Sequence, residues 1–429
     1  MRRGDAMKRV LMIAYHFPPL AGSSGIQRTL RFVQHLPRYG WQPIVLTATL
    51  HSYDRVNADL ERDIPAGTVV RRALALDTAR HLSLGGRYLG FMARPDRWVS
   101  WKFDAVRQGM KAIREFGPHA IWSTYPIATA HLIGAALQHR SGLPWVADFR
   151  DPMAQDGYPP DAATYRQFVA IEKCATDRAA CCVFTTPGAA RTYRERYPAA
   201  AERITVVENG YDEESFVAVE ARGTANADRA ESPVTLLHSG IVYPGERNPV
   251  PLFTALGRLV RSGRIDAGRL RLRFRAAVHE DMLRACSREH AIEPLVEICP
   301  PIDYLDALDE MLGADALLAM QGPGCNDQIP AKVYEYLRAR RPILGLTDPQ
   351  GDTAALMRRA GLNAIAPLDS ADEIEALLPR FLDDVRAGRA ERPDPAAVAR
   401  ASRTSRAEAL AQLLDGLAEP AATRAWAGA

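Results

Sequence analysis

The chain has 429 residues, enough for two or three domains, and its apolar fraction of 47% and charged fraction of 24% are those of an ordinary globular protein. A net charge of +3 and the absence of a long Lys/Arg run argue against a nucleic-acid partner. The basic N-terminus precedes a short apolar stretch containing His16, Pro18 and Pro19, which indicates the first strand of a domain rather than a signal peptide. The six cysteines form no CxxC pair, so we expect reduced packing residues in a cytoplasmic protein.

Short apolar segments alternate with amphipathic ones along the first half of the chain. Strands are expected at RVLMIAY, QPIVLT, AIWST, PWVAD, CCVFTT and ITVVEN, with helices that include Gln27 to Arg38, Phe103 to Phe116 and Ala162 to Ala180. The stretch from Ala120 to Leu137 is the most apolar, but Tyr125, Pro126 and His131 indicate a strand, a turn and a helix instead of a membrane span. This alternation predicts a parallel sheet with helices on both faces.

The pattern breaks at residues 217–232, which are polar and rich in Ala and Gly and are interpreted as an interdomain linker. It restarts with VTLLHSG, a helix from Pro249, and the segments LRLRFRA, LVEIC, ADALLAM, PILGL and NAIAP. The chain is therefore predicted to hold two doubly wound α/β domains, at residues 1–216 and 233–392, followed by a helical tail at 393–429.

Two loops of the first domain are candidate ligand sites, because ligands bind at the carboxyl ends of strands in open parallel sheets. After the first strand, Gly22 and Gly25 allow close backbone approach, and the next helix presents free N–H groups to an anion. Their GxxG spacing is not the GxGxxG dinucleotide fingerprint, which disfavours NAD binding. The alternative to a ligand site is a flexible turn between the strand and the helix. At the end of the PWVAD strand and just after it, the charges of Asp148, Arg150 and Asp151 are either functional or include an internal Asp–Arg pair that fixes the loop.

Two helix starts in the second domain carry cations where only an anion would favour them. Asn248 suits an N-cap and Pro249 the first helical position, which puts Arg247 just outside that helix. In CNDQIPAKVYEYLRARRPILGL, Pro330 starts a helix and Lys332 falls in its first turn. A diphosphate is the anion that would explain both cations, and a solvated surface arginine is the alternative for Arg247.

Two carboxylates flank the second helix start, Asp327 in the loop before it and Glu335 further along the helix. Carboxylates accept hydrogen bonds from sugar hydroxyls, while the helix end can hold a phosphate. The alternative for Lys332 and Glu335 is an i,i+3 surface pair.

Acid–base and metal chemistry have weaker sequence support. His16, His131 and His238 are candidate acid–base groups, but a lone histidine is more often structural. Without an HExxH motif or a Cys/His cluster, we expect no metal site and no bound cofactor.

The motifs taken together resemble a known family. The order of the HFPP loop with its glycines, DFRDP, VVENGYD, HSG with PGERNP, and IPAKVYEYL with PIL is similar to the family 4 type of retaining GT-B glycosyltransferases, over about residues 8–385. The last motif resembles the subgroup that builds surface polysaccharides and related glycans. The resemblance implies a GT-B fold with an acceptor domain, a nucleotide-sugar domain, and a last helix at about 396–417 that returns to the first domain.

Several residue roles are implied by this resemblance alone. Glu335 matches the second glutamate of the family's E-x7-E motif, which would hold the ribose hydroxyls, while Asp327 stands where the first glutamate is usual. Arg247 and Lys332 match the family's diphosphate-binding cations.

The catalytic residues are less directly implied. Arg150 stands near the position where many relatives have a histidine, so no single catalytic histidine carries over. We expect Asp151, Arg150 and Asp327 to be the catalytic residues. The segment from Pro301 to Tyr304, which follows LVEICP and contains Ile302, resembles the loop around the nucleotide base.

The implied reaction is transfer of a sugar from a nucleotide-diphosphate sugar to a hydroxyl acceptor, with retention and without metal. A GT-B-fold nucleotide-sugar epimerase and a catalytically silent nucleotide-sugar-binding component of a glycan-assembly complex are the alternatives. Residues 87–103 combine four basic side chains with aromatic ones, which suits a membrane interface and a lipid-linked acceptor. Alternatively, Trp98 and Trp101 anchor this segment in the core. The expected partners are the donor, a glycan or lipid-linked acceptor and, in the membrane interpretation, the inner membrane.

Overall fold

A computed structural model describes residues 7–23, 25–223 and 232–418. The chain divides into two compact units, Met1–Glu208 with Thr404–Ala429 and Asn209–Arg403. Residues 224–231 of the expected linker lie outside the described residues. Residues 217–220 are helical rather than linker, because the segment buries Phe216 and Val219 in the core of the second unit.

The first unit contains a seven-stranded parallel sheet. Its strands are β1 Lys8–Ile13, β2 Trp41–Ala48, β3 Val69–Ala73, β4 Ala120–Thr124, β5 Trp145–Arg150, β6 Cys181–Phe184 and β7 Ile204–Val206, in the order β3-β2-β1-β4-β5-β6-β7. Its helices before the second unit are α1 Gly25–His35, α2 Thr78–His81, α3 Trp101–Phe116, α4 Thr129–Ser141, α5 Ala162–Arg178 and α6 Pro187–Arg196. Two apolar clusters, one on each face of the sheet, make its core, as the continuous apolar strands predict.

Strand β3 was not expected, because Arg71 and Arg72 interrupt its apolar run. It lies at the edge of the sheet, where both arginines reach partners outside the strand. Arg71 pairs with Glu115 of α3, and Arg72 donates to the Pro18 carbonyl at 2.8 Å. Edge position and pairing therefore allow two charges on a strand that would not tolerate them in the centre.

The most apolar stretch of the chain forms β4, a short turn and most of α4, as expected. The helix is 13 residues long, and residues on several of its sides are buried in the unit. Among the described residues, no helix has both the length and the apolar character needed to cross a membrane.

The second unit contains a six-stranded parallel sheet in the order β10-β9-β8-β11-β12-β13. In chain order its elements are α7 Glu213–Glu220, β8 Val234–Ser239, α8 Val250–Arg261, β9 Leu270–Arg275, α9 Glu280–Glu289, β10 Val296–Cys299, α10 Tyr304–Gly313, β11 Ala316–Met320, α11 Ala331–Ala339, β12 Ile343–Leu346, α12 Asp352–Arg359, β13 Ile365–Ala366, α13 Ala371–Arg386 and α14 Pro395–Arg400. Helices cover both faces of this sheet as well, which confirms the doubly wound class.

The tail forms two helices instead of the single one expected at about 396–417. After α14, which belongs to the second unit, the chain continues as α15 Arg403–Ala418, which belongs from Thr404 onward to the first. Leu410 and Leu414 of α15 are buried in the same cluster as Val10 of β1. The expected return of the C-terminal helix to the first unit is therefore confirmed.

Candidate active site

The carboxyl ends of β1 and β5 meet at the start of α1. A Cβ added to Gly25 would lie 2.6 Å from His16 Nδ1 and 3.1 Å from Arg150 Nη1. The missing side chain of Gly25 thus lets the imidazole and the guanidinium lie against the first residue of the helix. Gly22 has a φ of +82° and no heavy atom within 4 Å of an added Cβ, so it shapes the loop without joining this cluster.

His16 and Arg150 are both held in this cluster by polar contacts. His16 Nδ1 lies 3.0 Å from Ser23 Oγ, and burial together with the Arg150 charge lowers the pKa of His16 to about 4. Arg150 donates from Nη1 to the Tyr125 carbonyl at 3.3 Å, and burial lowers its pKa. The imidazole is therefore neutral near pH 7 beside a guanidinium cation.

Arg150 also has an unusual backbone. Its φ is 65°, and the register between β5 and β6 shifts between Asp148 and Arg150. A non-glycine residue in the left-handed region costs roughly 1–2 kcal/mol. Backbone strain of this kind is concentrated at functional sites, so it supports the hypothesis that the end of β5 has a functional role.

Asp148 is structural, as the alternative of an internal Asp–Arg pair proposed. It is fully buried, and Arg28 of α1 donates to both of its oxygens, Nε to Oδ2 at 3.0 Å and Nη2 to Oδ1 at 2.7 Å. Thr124 Oγ1 donates to Oδ2 at 2.7 Å, and Arg28 donates further to the Val207 carbonyl at 2.9 Å. The partner is Arg28 and not Arg150, so the pair ties α1, β4, β5 and the end of β7 together.

Asp151 comes directly after Arg150 in the chain and is half-buried. Its Oδ1 accepts from Thr185 Oγ1 at 3.5 Å, and its backbone N–H donates to the Phe149 carbonyl. Burial raises the pKa of this carboxyl, against the opposing charges of Arg150 and Arg28. The structure thus brings Gly25, Arg150 and Asp151 to one strand-end region, while their chemical roles stay predictions.

The carboxyl end of β8 forms a second cluster, in the other unit. Gly240 follows β8 with a φ of +129°, and an added Cβ would lie 2.6 Å from Lys332 Nζ. The lysine therefore lies directly over the Gly240 backbone, in the first turn of α11, which has no acidic residue. Burial lowers the pKa of Lys332, Arg247 lowers it further, and Glu335 opposes both. An anion beside Lys332 would favour its charged form.

Arg247 is half-buried rather than freely solvated. Its Nη1 donates to the Ile241 carbonyl at 2.9 Å, and its guanidinium lies over the Tyr243 ring, 5.3 Å from the ring centre. The expected capping is off by one residue, because Pro249 is the N-cap of α8 while Asn248 Oδ1 accepts from the Val250 N–H at 3.1 Å. The loop after β8, more than the helix end, thus positions Arg247.

Glu335 contacts Tyr304, and the sequence did not predict this contact. Its Oε1 accepts from Tyr304 OH at 3.0 Å, and burial raises its pKa against the charges of Lys332 and Arg403. Among the described residues no ion pair joins it to Lys332, so the alternative of an i,i+3 pair is not observed. Ile302 is 40% exposed in the loop two residues before Tyr304. Tyr304 ends the loop predicted for the nucleotide base, but nothing in that loop indicated the contact with Glu335.

Asp327 is exposed in the loop before α11. The loop is fixed by its neighbours, since Asn326 Nδ2 donates to Asp348 Oδ2 at 2.5 Å. Gln321 Nε2 donates to the carbonyls of Cys325 and Gln328, at 2.7 and 3.0 Å. The backbone on both sides of Asp327 is therefore held, and its proposed contact with the donor sugar stays a prediction.

The other two candidate histidines have structural contacts. His131 is buried with Nδ1 2.9 Å from Ser123 Oγ, and His238 is buried with Nδ1 2.9 Å from the Leu318 carbonyl. Burial lowers their pKa values, to about 4 and about 3 respectively. In the described part of the chain, no group of three or more His, Cys, Asp or Glu side chains could hold a metal ion. All six cysteines, each within the described residues, are free thiols.

Comparison with known proteins identifies the fold. Residues 24–210 match the family described as Glycosyl transferase 4-like domain. Sucrose-phosphate synthase from Thermosynechococcus elongatus has 14% identity and a TM-score of 0.65, covering 96% of this chain and 99% of its own. Anabaena HepE in complex with UDP has 13% identity and a TM-score of 0.62, covering 96% and 100%. The α,α-trehalose 6-phosphate synthase from Burkholderia multivorans has 12% identity and a TM-score of 0.65, covering 99% of each chain.

These likenesses confirm the expected GT-B fold of two doubly wound α/β units. No curated protein matches the sequence.

Proposed function

We propose that the protein is a glycosyltransferase that moves a sugar from a nucleotide-diphosphate sugar to a hydroxyl acceptor. The packing of Lys332 over Gly240, at the start of α11, carries the proposal. It puts a half-buried cation, influenced by Arg247, at a helix N-terminus, where an anion is favoured. Support for a nucleotide ligand comes from HepE, a protein of similar fold whose structure contains UDP.

The chemistry of sugar transfer suits these residues. Breaking the bond between the anomeric carbon and the diphosphate leaves negative charge on the leaving group. Lys332, Arg247 and the N–H groups at the start of α11 would stabilise that charge, which is the role of preorganised donors in a transition state. Because these groups already supply positive charge, we propose that the reaction needs no divalent metal.

Glu335 is proposed to hold the ribose hydroxyls of the donor. Tyr304 donates to Oε1, which orients the carboxylate and leaves Oε2 for a hydroxyl of the ligand. Ile302, exposed two residues before Tyr304, would pack against the base. Asp327 is proposed to contact the sugar from the loop before the helix.

The cluster at the start of α1 is proposed to serve the reacting groups. Arg150 and the α1 N–H groups would stabilise negative charge, while Asp151 would contact the acceptor hydroxyl or the reacting sugar. Gly22 would shape the loop. Retention of configuration, and a glycan or lipid-linked acceptor of surface polysaccharide synthesis, rest on the family resemblance. The unpaired cysteines support a cytoplasmic location.

The test begins with a thermal-shift screen of UDP, GDP, ADP and dTDP sugars, because a ligand of the folded state stabilises by about 2.7 kcal/mol at 100 times its Kd. The stabilising donor is then incubated with glycan acceptors, with and without EDTA. Transfer that EDTA leaves intact supports the proposal. Epimerised donor without an acceptor identifies an epimerase, and binding without turnover identifies a silent binding protein. Strict dependence on added Mg²⁺ or Mn²⁺ contradicts the metal-free mechanism.

A further inference from the structure

Residues 82–91 form a loop of the first unit that exposes apolar side chains, and we refer to it as the 82–91 loop. Leu84 is 90% exposed, Phe91 69% and Leu89 64%. Leu82 and Tyr88 are exposed as well. Single exposed apolar residues are ordinary on a protein surface, but five within ten consecutive residues make a patch of the kind that marks an interaction site.

The tip of this loop is a tight reverse turn. The backbone N–H of Leu84 donates to the Arg87 carbonyl at 2.8 Å, and the N–H of Arg87 donates back to the Leu84 carbonyl at 3.1 Å. Gly85 and Gly86 between them have φ of 59° and 76°, which a two-residue turn of this kind requires. The turn fixes Leu84 and Arg87 side by side at the tip.

The base of the loop is tied to the rest of the unit. Thr78 Oγ1 donates to the carbonyls of Met92 and Arg97, at 2.6 and 3.0 Å. Asp96 accepts from the N–H and the hydroxyl of Thr129, at the start of α4, at 2.8 and 2.9 Å. Trp101 is fully buried in the core. The exposed side chains therefore extend from an anchored base rather than from an unfolded segment.

The segment is also basic. No Asp or Glu occurs between Asp77 and Asp96, while Arg80, Arg87 and Arg94 do. Arg80 pairs with Asp54, and Arg94 pairs with Asp161.

Arg87 is exposed beside Leu84, and within the described part of the chain it forms no ion pair. An apolar tip with an unneutralised cation next to it is complementary to a surface that is apolar inside and negatively charged outside.

We propose that the 82–91 loop inserts into the interface of an anionic lipid bilayer, with Leu84, Leu89 and Phe91 at the level of the acyl chains and Arg87 at the headgroups. Apolar and aromatic side chains partition into that interface, and each nearby cation strengthens binding to anionic lipid. Binding through this loop requires neither donor nor acceptor. It can therefore be tested separately from sugar transfer, and it would bring the acceptor-binding unit to lipid-linked acceptors if the proposed function holds.

This surface overlaps the one that the sequence indicated at residues 87–103 only at residues 87–91. Trp98 packs against the core and Trp101 lies in it, as the alternative proposed. Arg97 pairs with Asp54 and Asp77, both at 3.3 Å, and Arg94 with Asp161 at 3.1 Å. Charge reversal at Arg94 and Arg97 would therefore disturb the base of the loop instead of its lipid contact.

The experiment is co-sedimentation of the full chain with vesicles of phosphatidylglycerol and phosphatidylcholine, and with vesicles of phosphatidylcholine alone. Leu84→Ser with Phe91→Ser should weaken binding to the mixed vesicles at least about ten-fold. Arg87→Glu should weaken it about five-fold or more and leave weak binding to the neutral vesicles unchanged. All the substituted side chains are exposed, so the far-UV spectrum and Tm should stay those of the parent.

The matched controls are Lys111→Glu on α3, which makes the same charge change at another exposed site, and Val217→Ser on α7, which removes another exposed apolar side chain. Both should bind like the parent. Negligible binding of the parent to both vesicle types overturns the proposal. The proposal is also overturned if Lys111→Glu weakens vesicle binding as much as Arg87→Glu does, because that result would show an effect of overall charge. A concentration-dependent dimer that Leu84→Ser with Phe91→Ser dissolves, without vesicle binding, would identify a second copy as the occupant instead.

Discussion

Replacement of Gly25 by alanine tests the geometry of the cluster at the start of α1. The added Cβ would lie 2.6 Å from His16 Nδ1, 3.1 Å from Arg150 Nη1 and 3.3 Å from Ser23 Oγ. All three atoms belong to side chains, so the substitution can be accommodated only if His16 and Arg150 move. Overpacking of this kind costs about 1–3 kcal/mol. The gain from replacing glycine by alanine, about 0.4–1 kcal/mol, offsets only part of it.

We expect Gly25→Ala to lower the free energy of unfolding by up to about 2.6 kcal/mol and turnover at least about ten-fold, because Arg150 would be displaced. Urea unfolding and initial rates measure the two effects. His16→Ala removes the nearest atom, so the double variant should recover part of the lost stability, with a coupling of about 0.5–3 kcal/mol.

The matched control is Gly416→Ala on α15, where an added Cβ meets no atom within 4 Å. It should be neutral or slightly stabilising, as for an exposed helix position. If Gly25→Ala has parental stability and turnover, the close packing of His16 and Arg150 against the helix start is wrong. Additive effects of Gly25→Ala and His16→Ala would also refute the reasoning.

Three further substitutions separate structural from functional residues. Arg28→Met leaves Asp148 buried without its partner and should cost about 3–5 kcal/mol in urea unfolding, whereas a loss under about 1 kcal/mol would show that the pair is not structural. Tyr304→Phe removes one hydrogen bond to Glu335 and should weaken donor binding about 3- to 10-fold by calorimetry, with parental affinity excluding the orienting role. Asp151→Asn should cut turnover while donor affinity stays nearly unchanged, and an equal fall in affinity with unchanged turnover of bound donor would reduce Asp151 to a binding residue.

The fold was largely predictable because most of its strands are buried on both faces. Such strands are continuous apolar runs, which the sequence displays directly, as in VLMI of β1 and ALLAM of β11. Strand β3 was not predicted because Arg71 and Arg72 interrupt its apolar run. Its edge position accommodates them, and that position is known only once the order of all the strands is known. Residues 217–220, the second half of α7, were interpreted as linker for a related reason, since Phe216 and Val219 gain apolar partners only once the second unit has formed.

The candidate site was predictable where motifs lie on single elements. Lys332 and Glu335 are three residues apart on one helix, so their placement followed from local sequence. The pairing of Arg28 with Asp148 was not, because 120 residues separate them in the chain. The contact of Tyr304 with Glu335 similarly joins two helices, α10 and α11, and no local sequence pattern predicts it.

Calorimetric titration of the full chain with UDP and with uridine tests the central claim most directly, provided that UDP is the nucleotide identified by the donor screen. We predict that Lys332→Met weakens UDP binding at least about ten-fold, because the loss of a charged hydrogen-bond partner costs about 1.5–3 kcal/mol, while uridine binding changes little. Lys111→Met, at an exposed position on α3, should bind both ligands like the parent. Equal affinity of the parent and Lys332→Met for UDP would contradict the assignment of Lys332 and the start of α11 to the donor diphosphate.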